Sequence, residues 1–109
     1  ATINGKTDVF ALTTTETNLV TATANTVFKI NTIMVSNIDG TNAADVTIKY
    51  NDGSNDRAIA STISVPADAT LAVVDKNSAF YLEENEIIKG TASANSDLEC
   101  LISYEIISD

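Results

Sequence analysis

Histidine and tryptophan are missing from this sequence, and cysteine, proline and methionine each occur once. Without histidine, a serine, threonine or cysteine nucleophile has no partner of the kind that usually activates it. Zinc and haem likewise lack their customary ligands. Cys100 stands alone, so no internal disulfide forms, which suits assembly in a reducing cytoplasm. Six cations face fifteen acids, and Lys6, Lys29, Lys49, Arg57, Lys76 and Lys89 are scattered, giving a net charge of −9. That leaves no basic footprint to neutralise phosphates, so direct binding of nucleic acid is not expected. No apolar run approaches the roughly 20 residues that cross a bilayer. No charged-then-apolar leader opens the chain, and a soluble, membrane-free protein is expected.

What the sequence does hold is β-forming material. Its 109 residues are enough for one domain, 1–109, and 44% hydrophobic with 19% charged residues is the balance of a folded chain. Isoleucine and valine outnumber leucine, and threonine, asparagine and serine are abundant. β-Branched residues fit a half-buried pleated surface and asparagine and aspartate fit tight turns, so an all-β domain follows.

Period-two alternation locates the strands. It is clearest from Leu98 to Ile107, where Leu98, Cys100, Ile102, Tyr104 and Ile106 share one face. Val46, Ile48 and Tyr50 repeat it, then Ile59, Ile63 and Val65, with Asn51-Asp52-Gly53-Ser54-Asn55-Asp56 between as a β-hairpin turn. From Val27 to Ile38 the apolar parity changes between Phe28/Ile30 and Ile33/Val35, which predicts a bulge near Asn31 and Thr32. Val9 to Thr14, Leu19 to Thr23, Leu71 to Val74, Ala79 to Leu82 and Ile87 to Ala92 complete the set. Residues 1–8 read as an N-terminal arm in need of a partner surface. About eight short strands with turns between them predict a single β-sandwich of jelly-roll or Greek-key type. Pro66 restricts Val65 to extended backbone, so "VPADATL" is a corner between strands.

Each candidate for chemistry has a plainer structural reading. Cys100 falls on the core face in mid-strand, where a thiol acts as a small hydrophobe. Asp68 with Asp75, or Glu83, Glu84 and Glu86, could pair as glycosidase carboxylates, yet the chain has little aromatic surface to hold a sugar, and turn acids explain them better. Asp39 and Asp45 in "NIDGTNAAD", and Asp52 and Asp56 in "NDGSND", offer oxygens of the type calcium takes. Neither loop has the spaced ligands of an EF-hand, and turn chemistry accounts for both. No catalytic, cofactor-binding or metal-ligating residue is therefore assigned, and an enzyme is not expected.

The order of phrases is informative as a whole. "NTVFKINTIMVSNIDGTNAADVTIKYNDGSN", then "ISVPADATLAVVD", "FYLEENEIIKGTAS" and "LECLISYEI", resembles small β-sandwich virion structural proteins of tailed bacteriophages, most of all capsid decoration (cement) proteins. Two turns depart from the phrases common there: Asp68 and Asn85 stand where glycine is usual. The resemblance implies a protein of the virion surface, made in the host bacterial cytoplasm. It further implies that the protein binds the major capsid protein, often as a trimer, and stabilises the shell without a cofactor. A terminal arm such as Ala1 to Phe10 could then act as a clamp. The alternatives are a tail, neck or fibre component, or a carbohydrate- or receptor-binding module. The last would need exposed aromatics, and Tyr50 and Tyr104 read as core-facing, leaving Tyr81 free.

Overall fold

The computed structural model describes residues 1–108, and among them the chain is all strand and turn. The elements in order are β1 (Thr2–Ala11), β2 (Thr17–Thr21), β3 (Thr26–Asn37), β4 (Ala44–Asn51), β5 (Asp56–Val65), β6 (Thr70–Val74), β7 (Phe80–Leu82), β8 (Ile87–Ala92) and β9 (Leu98–Ser108). Two antiparallel sheets pack face to face as a β-sandwich. One has the order β1-β9-β3-β6, with β7 also on β3, and the other has the order β2-β8-β4-β5. The molecule extends 47 Å along its longest axis, because β1, β3 and β9 have 10, 12 and 11 residues at about 3.3 Å each.

Most of the core is the set of inward residues that alternation identifies; Ile63 of the edge strand β5, expected inward, is instead 41% exposed beside the irregular Thr62. Ile30, Ile33 and Val35 of β3 and Leu98, Cys100 and Ile102 of β9 meet Val46, Ile48 and Ile88 of the facing sheet, all buried. Gly90 in β8 keeps this layer thin: a Cβ there would lie 2.7 Å from Leu19 and 3.2 Å from Leu12. The expected bulge is present, since the β3–β9 register shifts between Ile30 and Thr32. It allows Phe28 and Ile30 below the shift, and Ile33 and Val35 above it, to reach the same core. Asn31, the extra residue, donates to Glu105 at 3.2 Å.

The turns follow the chemistry of their residues. In the β4–β5 hairpin Gly53 has φ 97°, and the Asn51 and Asp52 side chains accept the backbone N–H groups of Gly53, Ser54 and Asn55. At the Pro66 corner the chain leaves one sheet and enters the other. Ala69 N–H donates to Pro66 C=O at 3.1 Å, and Asp68 sits at φ 61°. Asn85 does the same at φ 70° in the turn closed by Glu86 N–H on Glu83 C=O. Aspartate and asparagine are the non-glycine residues that best tolerate this left-handed conformation, so the two departures from glycine keep a glycine-type turn.

The expectation for the N-terminal residues is corrected. Residues 1–8 are not a separate arm: from Thr2 on they belong to β1, whose partner surface is β9 of the same chain, paired antiparallel from Thr2↔Ser108 to Ala11↔Glu99 without a register shift. The reason is non-local. Thr2, Asn4 and Lys6 project on the inner side, yet they are exposed, so their polarity hides the strand from any reading of periodicity. Their order comes from a backbone ladder to the far end of the chain. The described residues hold nine strands, and the first of them begins at Thr2 and ends at Ala11, where Val9 to Thr14 was expected.

Candidate functional site

Most of the acidic residues that sequence singled out are held by hydrogen bonds in separate turns. Asp39 Oδ1 accepts the N–H groups of Thr41 (2.7 Å) and Asn42 (3.1 Å), which hold its carboxyl below the usual range. Asp52 is lowered in the same way by Asn55 and Ser54, and Asp56 by the side chains of Asn51 and Lys89. Asp75 accepts Asn77 N–H at 2.9 Å in the β6–β7 turn. Asp68 lies at the sheet-crossing corner and its backbone N–H donates to Asp39 C=O at 3.2 Å. Glu84 accepts Asn25 N–H at 2.6 Å, and Glu86 accepts both Glu83 N–H at 2.7 Å and the Tyr50 hydroxyl. Most of these carboxylates hold turns; Glu83 and Glu84 alone share an open pocket, of about 740 Å³, with Asn25, Thr26, Val27, Ile107 and Ser108, and there Glu84 is taken up by Asn25 N–H. Among the described residues no group of three or more His, Cys, Asp or Glu gathers as a metal site.

Because Asp39, Asp52 and Asp56 are stabilised as anions, their contribution to folding has a definite sign. A depressed carboxyl contributes stability that is present above the unfolded value of 3.8 and is lost as pH falls through the lower folded value. At the other end, burial raises Cys100 from 9.0 to about 12, and burial with nearby carboxylates raises Tyr50 and Tyr104 above 10.0. Their contribution is full below the unfolded values and is lost as pH rises past them. A urea midpoint that is flat from about pH 5 to pH 8.5, falls below about pH 4 and falls again above about pH 9 is the expected profile. A maximum outside that plateau would contradict it.

Cys100 is buried at the β1–β9–β3 junction, opposite Phe10 and Val35. Desolvation keeps it a thiol, which makes it a packing residue and a poor nucleophile. Tyr104 is in the core as expected, stacked on Phe28 with ring centroids 5.1 Å apart, and its hydroxyl donates to Asp8 at 2.6 Å. Tyr50 also packs against the core, as expected, but less deeply. It is half-buried and, with Ile59, Val73, Phe80 and the exposed Tyr81, lines a groove of about 470 Å³ at the open side of the sandwich near β5 and β6–β7. It stands at the hairpin end of β4, and its hydroxyl donates to Glu86.

The feature that sequence reading missed is a face. Cross-strand registers align Val9, Leu101, Met34 and Ala72 in one row on the outer side of the β1-β9-β3-β6 sheet. Ile3, Ile107 and Val27 form another, and two polar rows lie between them, Thr7, Ser103 and Thr32 and then Gly5, Glu105 and Lys29. The charges there are Glu99, Glu105 and Lys29. The opposite sheet is different: its outer side carries Lys49 against Glu16 at 2.8 Å and Lys89 against Asp56 at 3.2 Å. Strand by strand these outward residues look like ordinary surface positions. Only the register shows that they are contiguous.

No protein-family profile and no curated protein sequence matches the chain. A solved structure from work titled "Bacillus endospore appendages form a novel family of disulfide-linked pili" is similar in fold. Its TM-score is 0.58 at 11% sequence identity, over 99% of this chain and 88% of the other.

Proposed function

We propose that the protein is a structural subunit of a bacteriophage particle, acting as a capsid decoration protein that docks on the outer surface of the major capsid protein. The observation that carries this reading is the outer face of the β1-β9-β3-β6 sheet. It is broad, rich in small and apolar residues and poor in charge, on a chain whose net charge is −9. Such a face, with apolar rows set among small polar residues and a single Glu105–Lys29 row, is of the mixed kind found at protein-docking surfaces. The choice of capsid as partner comes from the phrases that resemble phage decoration proteins. The strand orders β1-β9-β3-β6 and β2-β8-β4-β5, with successive strands alternating between sheets at the start of the chain, support a jelly-roll type for the sandwich. The mechanism is linkage: a subunit that binds only the assembled lattice stabilises that lattice by its binding free energy, and an oligomer multiplies the effect by touching neighbouring capsomers.

The test mixes the purified chain with undecorated capsids and images the particles, alongside Met34→Glu. A buried carboxylate in the middle of the face should weaken lattice binding by more than about tenfold while the variant stays folded. Failure of the unmodified chain to bind the lattice would sink the reading. A second reading is favoured by the fold likeness to a pilus subunit: self-assembly into a filament. Imaging the chain alone at high concentration separates the two, because filaments without capsids support the second.

A further inference from the structure

We propose that β1 is a self-association edge, and that two copies of this chain pair through it antiparallel about a two-fold axis at Thr7. This goes beyond the capsid reading and does not depend on it. Edge strands normally carry devices that prevent pairing. β5 has register shifts along β4 and Thr62 at φ 51°, β2 is shifted between Asn18 and Val20, β6 is shifted against β3, and β7 has 3 residues. β1 has no such irregularity: its 10 residues run without proline or bulge, and its charged residues are Lys6 and Asp8, of opposite sign and 3.8 Å apart within one copy, so the edge carries no net repulsion.

The direction of its free hydrogen bonds is fixed by one observation. Leu12 N–H donates to Leu98 C=O at 2.9 Å, continuing the β1–β9 register. In an antiparallel ladder the bonding groups alternate in direction, so the even-numbered residues of β1 point theirs at β9. Ile3, Gly5, Thr7, Val9 and Ala11 therefore point their N–H and C=O groups outward. A second copy must bond to the same odd set, which excludes a shift of one residue.

Among the registers left, charge selects one. With Thr7 opposite Thr7 of the partner subunit, Lys6 faces Asp8 of the partner subunit, and by symmetry Asp8 faces the partner's Lys6. A shift of two residues one way places Lys6 on its own copy, and the other way places Asp8 on its own copy. Like charges directly opposite destabilise a sheet, and opposite charges stabilise it. The same register spans the strand fully, with Ile3 facing Ala11 of the partner subunit. It also covers the most exposed apolar side chains: Val9, 71% exposed, comes to lie opposite the partner's Gly5, and a Cβ at Gly5 meets nothing within 4 Å. Charge, overlap and shape thus agree on one pairing, which is isologous and closes at two copies.

The experiment is sedimentation equilibrium and amide exchange on the full chain. Expected is a monomer–dimer equilibrium with concentration-dependent protection of the odd-numbered β1 amides. Thr7→Pro removes an outward N–H and no bond to β9, so it should abolish dimerisation with the fold retained by circular dichroism. Lys6→Asp turns two attractive pairs repulsive and should weaken the dimer about tenfold. The exchange Lys6→Asp with Asp8→Lys should restore it. A chain that stays monomeric at millimolar concentration, a trimer, association unchanged by Thr7→Pro, or a folded exchange variant that does not recover would each overturn the proposal.

Discussion

Ile102→Ala should lower the unfolding free energy by about 3 kcal/mol, within the range of about 2–5 kcal/mol found for deleting a buried isoleucine side chain. Ile102 is fully buried at the middle of β9, which lies between β1 and β3, with Asp8 and Ile33 as its cross-strand partners. Neighbouring strands on both sides hold the backbone, so the site cannot collapse to fill the void. Removal of the next residue's side chain is the control. Leu101 is half-buried on the outer face, so Leu101→Ala should cost about 1 kcal/mol or less in the isolated chain. Urea midpoints with a common slope measure both. Equal losses for the two would mean that the inner and outer faces of β9 have been misassigned. Since single domains retain only about 5–15 kcal/mol, Ile102→Ala also tests how close the chain lies to unfolding at physiological temperature.

Asn37→Ala should lose a comparable amount, about 3 kcal/mol, by a different route. Asn37 is the buried polar residue of the core, 3% exposed. Its amide donates to Asn42 C=O at 3.0 Å and to Val65 C=O at 2.9 Å, and its Oδ1 accepts Asp39 N–H at 2.9 Å. One side chain thus ties the end of β3 to the β3–β4 loop and to the end of β5 just before Pro66. Alanine leaves the Val65 carbonyl, in a buried residue, without that partner, and an unsatisfied buried group costs about 1–3 kcal/mol. Asn37→Asp sharpens the test, because a carboxylate would face the two carbonyls that now receive the amide. Those carbonyls should raise its pKa, so its deficit is smallest below the unfolded value of about 3.9 and grows as pH rises. Stability of the aspartate variant relative to the parent should therefore improve on acidification. An unchanged gap across pH 3–7 would count against the hydrogen-bond account.

Legibility varied along the chain for physical reasons. β9 and β4 were readable because each has one face on the core and one on solvent, so alternation in sequence maps directly onto burial. The β3 bulge was readable because a change in parity has few other structural causes. β1 was misread as an arm because its inner residues Thr2, Asn4 and Lys6 are exposed and polar, and a strand held by its backbone ladder leaves no apolar signature. Tyr50 was read as core because its parity matches Val46 and Ile48, and it packs there less deeply than they do, since it stands near the hairpin end beside the groove. The acids of the turns were readable as turn acids, since asparagine and aspartate bond their own following N–H groups in short loops.

By itself, then, the sequence determined the class of the fold, most inward residues of β3, β4 and β9, the hairpin and corner turns, and the lack of a histidine-activated nucleophile. These are local properties: rotation by half a turn per residue, backbone preference at particular turns, and side-chain chemistry. Tertiary structure alone decided which strands are neighbours, and with that everything that depends on register. The low-charge row of Val9, Leu101, Met34 and Ala72, the outward odd-numbered bonds of β1, and the tie from Asn37 to Val65 each join residues distant in the chain. Such contacts arise when strands from separate segments align, and no stretch of sequence carries that alignment on its own.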